Sequence, residues 1–487
     1  LESYNKFISE DLFNTIEMFN PVNIHSEHDK DPTNGKYKLE IIITFSNLQL
    51  YRPQIHENNG ATKIMFPQEA RLRNFTYTST MTIDLDIKIK QYLDDDMNNC
   101  IIKNKVLKKI HIGKMPIMVK SDLCVLKQYN HLNSKITGEC KYDAGGYFII
   151  NGSEKVVIPQ ERAAENNLQF FKIKKKNSKW KYKAEIKCIP DNVCISPKQI
   201  NLLISNKNNG YGFPIYIQIP KIKQPIPVVV LFRALNVISD RDICKIITLN
   251  NKDIKNTKIL HYIKASIIQS NECLDYESAI KHIISLSIYT PINMTKEEGI
   301  KKKREFTIKA LENDLFPHCK TKTQKIYYLG LITNKLINVA LGYIDTSERD
   351  SYINKRIDLV GTLLNNLFRN YLNKLIKDMS KQVIREINNG SWKTTQDVVN
   401  IINKTNIYKI IKPSTIENGI KRALSTGDFG VKHINSNKVG VAQVLNRLTY
   451  IASISHLRRI NTPIDKSGKL IEPRKLHNSS WGYICPA

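Results

Sequence analysis

Gln443, Arg447 and Tyr450 stand at i, i+4 and i+7. The apolar spacing of Val441, Val444, Leu445, Leu448, Ile451 and Ile454 predicts a helix over 441–460 with those six residues buried on one side. On the other side an amide, a cation and an aromatic ring then share a face, a set able to meet a nucleic-acid strand. A plainer reading pairs Arg447 with a carboxylate and half-buries Tyr450 in core. Arg458 and Arg459 fall in the last turn, before Asn461-Thr462-Pro463. Cations there stabilise a helix end by about 0.3–1 kcal/mol, which by itself accounts for them. Asp465 to Lys469 has turn composition and brings Lys466 and Lys469, and Arg474, Lys475 and His477 follow with few acids between.

Other groupings point away from catalysis. Glu348-Arg349-Asp350 and Lys355-Arg356-Ile357-Asp358 alternate in sign and are read as a structural ion-pair cluster at a domain junction. His111, His131, His433 and His456 lack partners at ligand spacing, and nine scattered Cys contain no C-x-x-C pair. Neither a bound metal nor a disulfide framework is expected. The glycines from Gly146 to Gly152 are wrongly spaced for a phosphate loop, and no helix start follows them.

The elements that hold these residues begin as strands. Tyr37 to Ile43 and Met81 to Ile87 alternate apolar and polar positions. Asn151-Gly152 sits between two apolar runs, the strongest short-range hairpin signal. From about Phe171 lysine density rises, and Pro214, Pro220, Pro225 and Pro227 punctuate short extended pieces. Helical patterns follow at Val229 to Val237, Ile259 to Gln269, Tyr276 to Ser287, Thr295 to Leu311 and Lys325 to Leu341, so this second domain is expected to be mostly helical. A long amphipathic helix is expected from Ile357 to Glu386, with a stripe of Leu359, Leu363, Leu364, Leu367, Tyr371, Leu372, Leu375 and Met379, and a shorter one over Ile420 to Leu424. Strands followed by helices make the fold class α+β.

With 487 residues, the chain is expected to form about three folding units. Its net charge of +29 attracts a polyanion such as DNA or RNA, although abundant Lys, Asn and Ile also follow from an AT-rich genome. No stretch has the apolar length of a membrane span, and the first residues lack a secretory pattern, so an intracellular protein is expected.

Four segments, in order along the chain, carry a family resemblance: GGYFIINGSEKVVIPQER from Gly145, QPIPVVVLFRAL from Gln224, ERDSYINKRIDLVGTLL from Glu348, and Ala423 to Ala487 with GVAQVLNRLTYIASISHLRRINTP and LHNSSWGYICPA. Together they resemble the second-largest, β-type subunit of multisubunit DNA-directed RNA polymerases of eukaryotes, archaea and large DNA viruses. The resemblance implies a protrusion at 1–171 and 356–427, an inserted lobe at 172–355 and a fork at 428–487. It also implies that the family's chain continues past Cys485-Pro486-Ala487 into hybrid-binding, wall, anchor and clamp regions.

By the same resemblance, Lys432, His433 and Lys438 belong to one fork loop, and Lys466 and Lys469 to another, with Arg474 beyond it. Gln443, Arg447, Tyr450, Arg458 and Arg459 lie between the loops. Such loops sit at the edge of the transcription bubble, where phosphate contacts position a strand and a wedge opposes reannealing. The implied role is noncatalytic: the chain shapes the cleft and contacts template DNA and the RNA–DNA hybrid. It has no cofactor of its own. Magnesium lies on the largest subunit and zinc in the family's C-terminal part, so this chain alone is expected to be inactive. The implied partners are the largest and smaller polymerase subunits in a hetero-oligomer, with no membrane, in a nucleus, a virion or a viral factory. A standalone basic nucleic-acid-binding protein is the rival, and an independent enzyme would need a carboxylate or His/Cys cluster that the sequence does not display.

Overall fold

The computed structural model describes residues 1–25, 37, 39–92, 100–129, 131–175, 177–190, 197–249, 254–290, 295–389, 398–430, 439–464 and 471–485. The chain divides into two compact units, Leu1–Arg162 with Ile357–Asp465 and Ala163–Arg356 with Lys466–Ala487. The α+β class holds, with sheet and helix in both. No helix among the described residues is long and apolar enough to cross a membrane.

The first unit is built on an antiparallel sheet of Val22–His25, Leu39–Leu50, Thr78–Tyr92 and Cys100–Pro116, hydrogen-bonded in that order. Period-two alternation sends Ile41, Ile43, Phe45, Leu85, Ile87 and Ile89 to one face, where all are buried. Against them lies the helix Val360–Asn389, whose Leu363, Leu364, Leu367, Leu372, Leu375 and Met379 are also buried. Tyr371 is half-buried, but Leu359 is exposed and precedes the helix, so it drops out of the expected stripe. The N-terminal helix Glu2–Lys6 docks here too: Tyr4 Oη donates to Pro116 O at 2.7 Å, and Gly361 N donates to Ser3 Oγ at 3.0 Å. A β-carbon at Gly361 would stand 2.1 Å from Ser3 O, so only glycine permits this approach.

Phe148–Ile150 and Ser153–Val157 form the expected hairpin, with Ile150 opposite Ser153. Its two turn residues have positive φ, 49° at Asn151 and 78° at Gly152, as a type I′ turn requires.

The second unit is mostly helical, as expected, and adds a sheet ahead of its helices. Gln169–Lys172, Trp180–Cys188, Lys198–Ser205, Ile215–Gln218 and Ile226–Pro227 form a five-stranded antiparallel meander in sequence order. Ala184, Ile186 and Cys188 alternate with polar positions, as do Ile200, Leu202 and Ile204, and all six are buried. Interleaved lysines obscured a period-two signal that was present in the sequence. The expected helices occur at Val228–Ala234, Ile254–Gln269, Tyr276–Ser285, Lys296–Asn313 and Lys322–Ala340, the last two opened by capping boxes at Thr295 and Thr321. Every residue of Val228–Ala234 is buried, including Arg233, whose guanidinium donates to Ser270 O, Cys273 O and Asp240 Oδ1 at 2.7–2.8 Å.

Among the described residues, charges around 348–358 pair with partners from distant segments of their own unit. In the second unit Arg349 pairs with Glu185 at 3.2 Å and Glu348 contacts His477 at 3.3 Å. In the first, Asp358 accepts from Arg162 at 2.7 Å. Alternation along the chain marked charged residues that need partners, and the partners come from distant segments.

Candidate nucleic-acid interface

The segment after residue 438 is a strand, a loop and a short helix, which corrects the continuous helix expected over 441–460. Ala442–Val444 pairs antiparallel with Ser153–Val157, placing Gln443 opposite Val156. Val441 N donates to Gly427 O, Val441 O accepts from Ile158 N, and Leu445 N donates to Glu154 O at 3.0 Å. Sheet pairing thus takes the backbone groups that a helix would need. Asn446 Oδ1 then accepts from Leu448 N, and Thr449 Oγ1 accepts from Ala452 N as the N-cap of Tyr450–Leu457. The expected apolar stripe breaks accordingly: Val441 and Leu445 are buried, but Val444, Leu448 and Ile451 are 62%, 87% and 73% exposed.

Gln443, Arg447 and Tyr450 therefore do not share a helical face, and each has its own surroundings. Arg447 Nε donates to Glu154 Oε2 at 2.7 Å, and its Nη2 donates to Asp143 Oδ2 at 2.8 Å and Glu154 Oε1 at 3.0 Å. Its guanidinium also lies 5.0 Å from the Tyr147 ring centroid, within cation–π range. Arg71 meets the same group from the other side, donating to Glu154 at 2.8 Å, Glu139 at 2.6 Å and Tyr147 Oη at 2.7 Å.

Two guanidiniums, three carboxylates and a phenol thus form one network. The Glu154 carboxylate beside Arg447 holds that guanidinium firmly charged. Burial pushes the Asp143 carboxyl up, but the Gly145 N–H and Arg447 outweigh it and keep it below the ordinary range. The plainer reading of Arg447 as a paired cation describes its contacts in this structure.

Tyr450 is exposed, with its hydroxyl donating to Tyr142 O at 3.2 Å. Gln443 Oε1 lies 3.1 Å from His456 Nε2, while Gln443 Nε2 donates to Gly440 O. Asn446 N donates to His456 Nδ1 at 3.1 Å. Because a backbone N–H can only donate, Nδ1 is the acceptor, and Nε2 must carry the proton that it gives to Gln443. His456 is 4% exposed, and burial, with Arg459 second, holds its pKa below the usual value, so the neutral tautomer is the stable one.

Arg458 and Arg459 are exposed just beyond the helix, whose last turn closes on Arg458 N. The chain then returns to the hairpin segment: Asn461 N donates to Pro159 O, Glu161 N to Asn461 O, and Asn461 Nδ2 to Gln160 Oε1.

The candidate residues fall into three groups. Gln443, Arg447, Tyr450, Arg458 and Arg459 all lie in the first unit. Arg474 is exposed in the second unit, within the turn Glu472–Arg474. Lys432, His433, Lys438, Lys466 and Lys469 lie outside the described residues. Sequence reasoning missed Glu154, Asp143, Arg71 and Tyr147 as the frame of the site, and nothing local pairs them with Arg447. It set His456 aside as a histidine without metal partners, whereas here it ties strand to helix. Among the described residues no group of three or more His, Cys, Asp or Glu could hold a metal ion.

Residues 1–408 match the family described as RNA polymerase beta subunit, and residues 443–487 match RNA polymerase Rpb2, domain 3. Along its whole length the chain is 34% identical to DNA-directed RNA polymerase II subunit 2 of Arabidopsis thaliana and 35% identical to DNA-directed RNA polymerase II subunit RPB2 of Schizosaccharomyces pombe. It spans 40% and 39% of those two proteins. It is also 26% identical to DNA-directed RNA polymerase subunit Rpo2N of Methanothermobacter thermautotrophicus, 88% of which it covers.

Proposed function

Because the chain belongs to the RNA polymerase beta subunit family, we propose that it forms the first part of a second-largest polymerase subunit and lines the cleft that holds template DNA and the RNA–DNA hybrid. In this reading residues 1–171 and 356–427 are the protrusion, 172–355 the lobe and 428–487 the fork. Its partners are the largest and smaller polymerase subunits, in the nucleus or, for a viral enzyme, where viral transcription occurs. The assembled enzyme joins ribonucleoside triphosphates with magnesium held on the largest subunit, and the part left to this chain is holding and separating strands.

The observation that carries this reading is the braced tip at 444–451. Leu448, from a loop, and Ile451, from the first turn of the helix after it, are exposed beside backbone fixed on one side by Glu154 and Asp143 and on the other by His456. An apolar projection at the start of a helix that ends at the exposed Arg458 and Arg459 has the parts of a wedge: side chains that obstruct base pairing, and cations that hold phosphates.

The test uses assembled polymerase on a bubble template with a fluorescent base at the bubble edge. Replacing Leu448 by Ser should lower the signal from the unpaired base. The double substitution Arg458→Ala/Arg459→Ala should make the slope of log affinity against log salt shallower by about 1–2, from roughly 0.9 per phosphate contact. If signal and slope both match the unsubstituted enzyme, the tip has no part in strand handling.

A further inference from the structure

A cavity of 320 Å³ opens in the first unit between residues 375–385 of the helix Val360–Asn389 and the segment 409–415. Leu375 and Ile410 line it but are almost fully buried, so the surface it offers is mainly polar. Its walls carry Lys381, Arg385, Lys409 and Lys412 against one carboxylate, Asp378. Lys409 is paired with Glu386 at 3.0 Å, a carboxylate that also accepts from Gln382. Lys381, Arg385 and Lys412 are exposed and make no ion pair among the described residues.

This grouping has no structural necessity. Lys381 and Arg385, at i and i+4, share a helical face, so helix geometry alone sets them side by side. It does not account for Lys409 and Lys412, which a separate segment brings to the same cavity. Convergence of like charges is unfavourable unless an anion answers it. Long cationic side chains converging on one polar cavity suit the phosphates of a nucleic-acid backbone.

We propose that this cavity is a second phosphate-contact site for a nucleic-acid backbone, separate in sequence from the tip at 444–459. The inference rests on the reading that the chain works on nucleic acid. Binding occurs through Lys381, Arg385 and Lys412, with Thr415 and Gln382 as neutral donors beside them.

The experiment uses assembled polymerase carrying Lys381→Ala/Arg385→Ala/Lys412→Ala, with a photoreactive side chain placed at Thr415 in the unsubstituted background. All three substituted side chains are exposed, so folding should survive, and unchanged thermal melting of the variant would verify that. The expected result is a salt slope shallower by about 2–3, at roughly 0.9 per contact, partial recovery when Arg385→Lys replaces Arg385→Ala, and a photocrosslink to DNA or RNA. An unchanged slope, or a crosslink to protein alone, overturns the proposal. If Arg458→Ala/Arg459→Ala still shifts the slope in that case, only the second site fails. If neither variant shifts it, the nucleic-acid reading itself fails.

Discussion

Two guanidiniums meet on one carboxylate at Glu154, with Arg71 donating at 2.8 Å and Arg447 at 2.7 Å. Arg447→Ala leaves Glu154 bonded to Arg71, so the expected cost is that of charge-assisted hydrogen bonds, about 1.5–3 kcal/mol. Glu154→Ala removes the carboxylate that Arg71 and Arg447 share, leaving Arg71 on Glu139 and Arg447 on Asp143, and should cost more than Arg447→Ala because both guanidiniums lose bonds at once. Equilibrium unfolding of the two single variants and the double variant checks both the order and the coupling, and a strictly additive cycle would mean that the residues do not act as a network. His456 makes a separate prediction. Its pKa is lowered in the fold, so the unfolded chain binds more protons in the window below the ordinary value of about 6.5. The stability it contributes is complete above that pH and is lost as pH falls below it. Melting from pH 5 to 7 should show this rise in the native chain and a flatter profile in His456→Ala. His111 is shifted the same way, so the comparison between the two proteins is what decides.

At the scale of elements, the long helix depends on a contact that its own sequence does not explain. An exposed helical Gly→Ala change normally stabilises by about 0.5–1 kcal/mol. At Gly361 the sign should reverse, because the added carbon would stand 2.1 Å from Ser3 O. An expected loss of about 1–3 kcal/mol, with faster amide exchange over residues 2–6, reports displacement of the N-terminal helix. A more stable Gly361→Ala protein would refute the contact. Elements with a strong local rule were legible: the Asn-Gly hairpin and the helices with an apolar stripe. The strand–loop–helix over 442–457 was not, because Val441, Val444 and Leu448 mimic helical spacing while the backbone of Ala442–Val444 is claimed by Ser153–Val157. The strands at 180–205 were missed for the opposite reason, a real alternation crowded with lysine.

At the scale of the molecule, the collinear segments that carried the family resemblance become physically intelligible in pairs. GGYFIINGSEKVVIPQER and AQVLNRLTYIASISHLRRINTP are two parts of one structure, joined by a strand pair, the Glu154–Arg447 bridge and the Gln160–Asn461 contact. QPIPVVVLFRAL is core, stapled by Arg233. The sequence by itself determined the family, the α+β class, the hairpin, the main helices and the basic character, because these follow from neighbouring residues and overall composition. Tertiary structure alone decided that Arg447 meets Glu154 and Asp143, 293 and 304 positions away, that His456 ties strand to helix, and that four cations surround one cavity. A local pattern can state that a charge or a strand edge needs a partner. Which partner answers is set by how distant segments pack, and that information is spread over the whole chain.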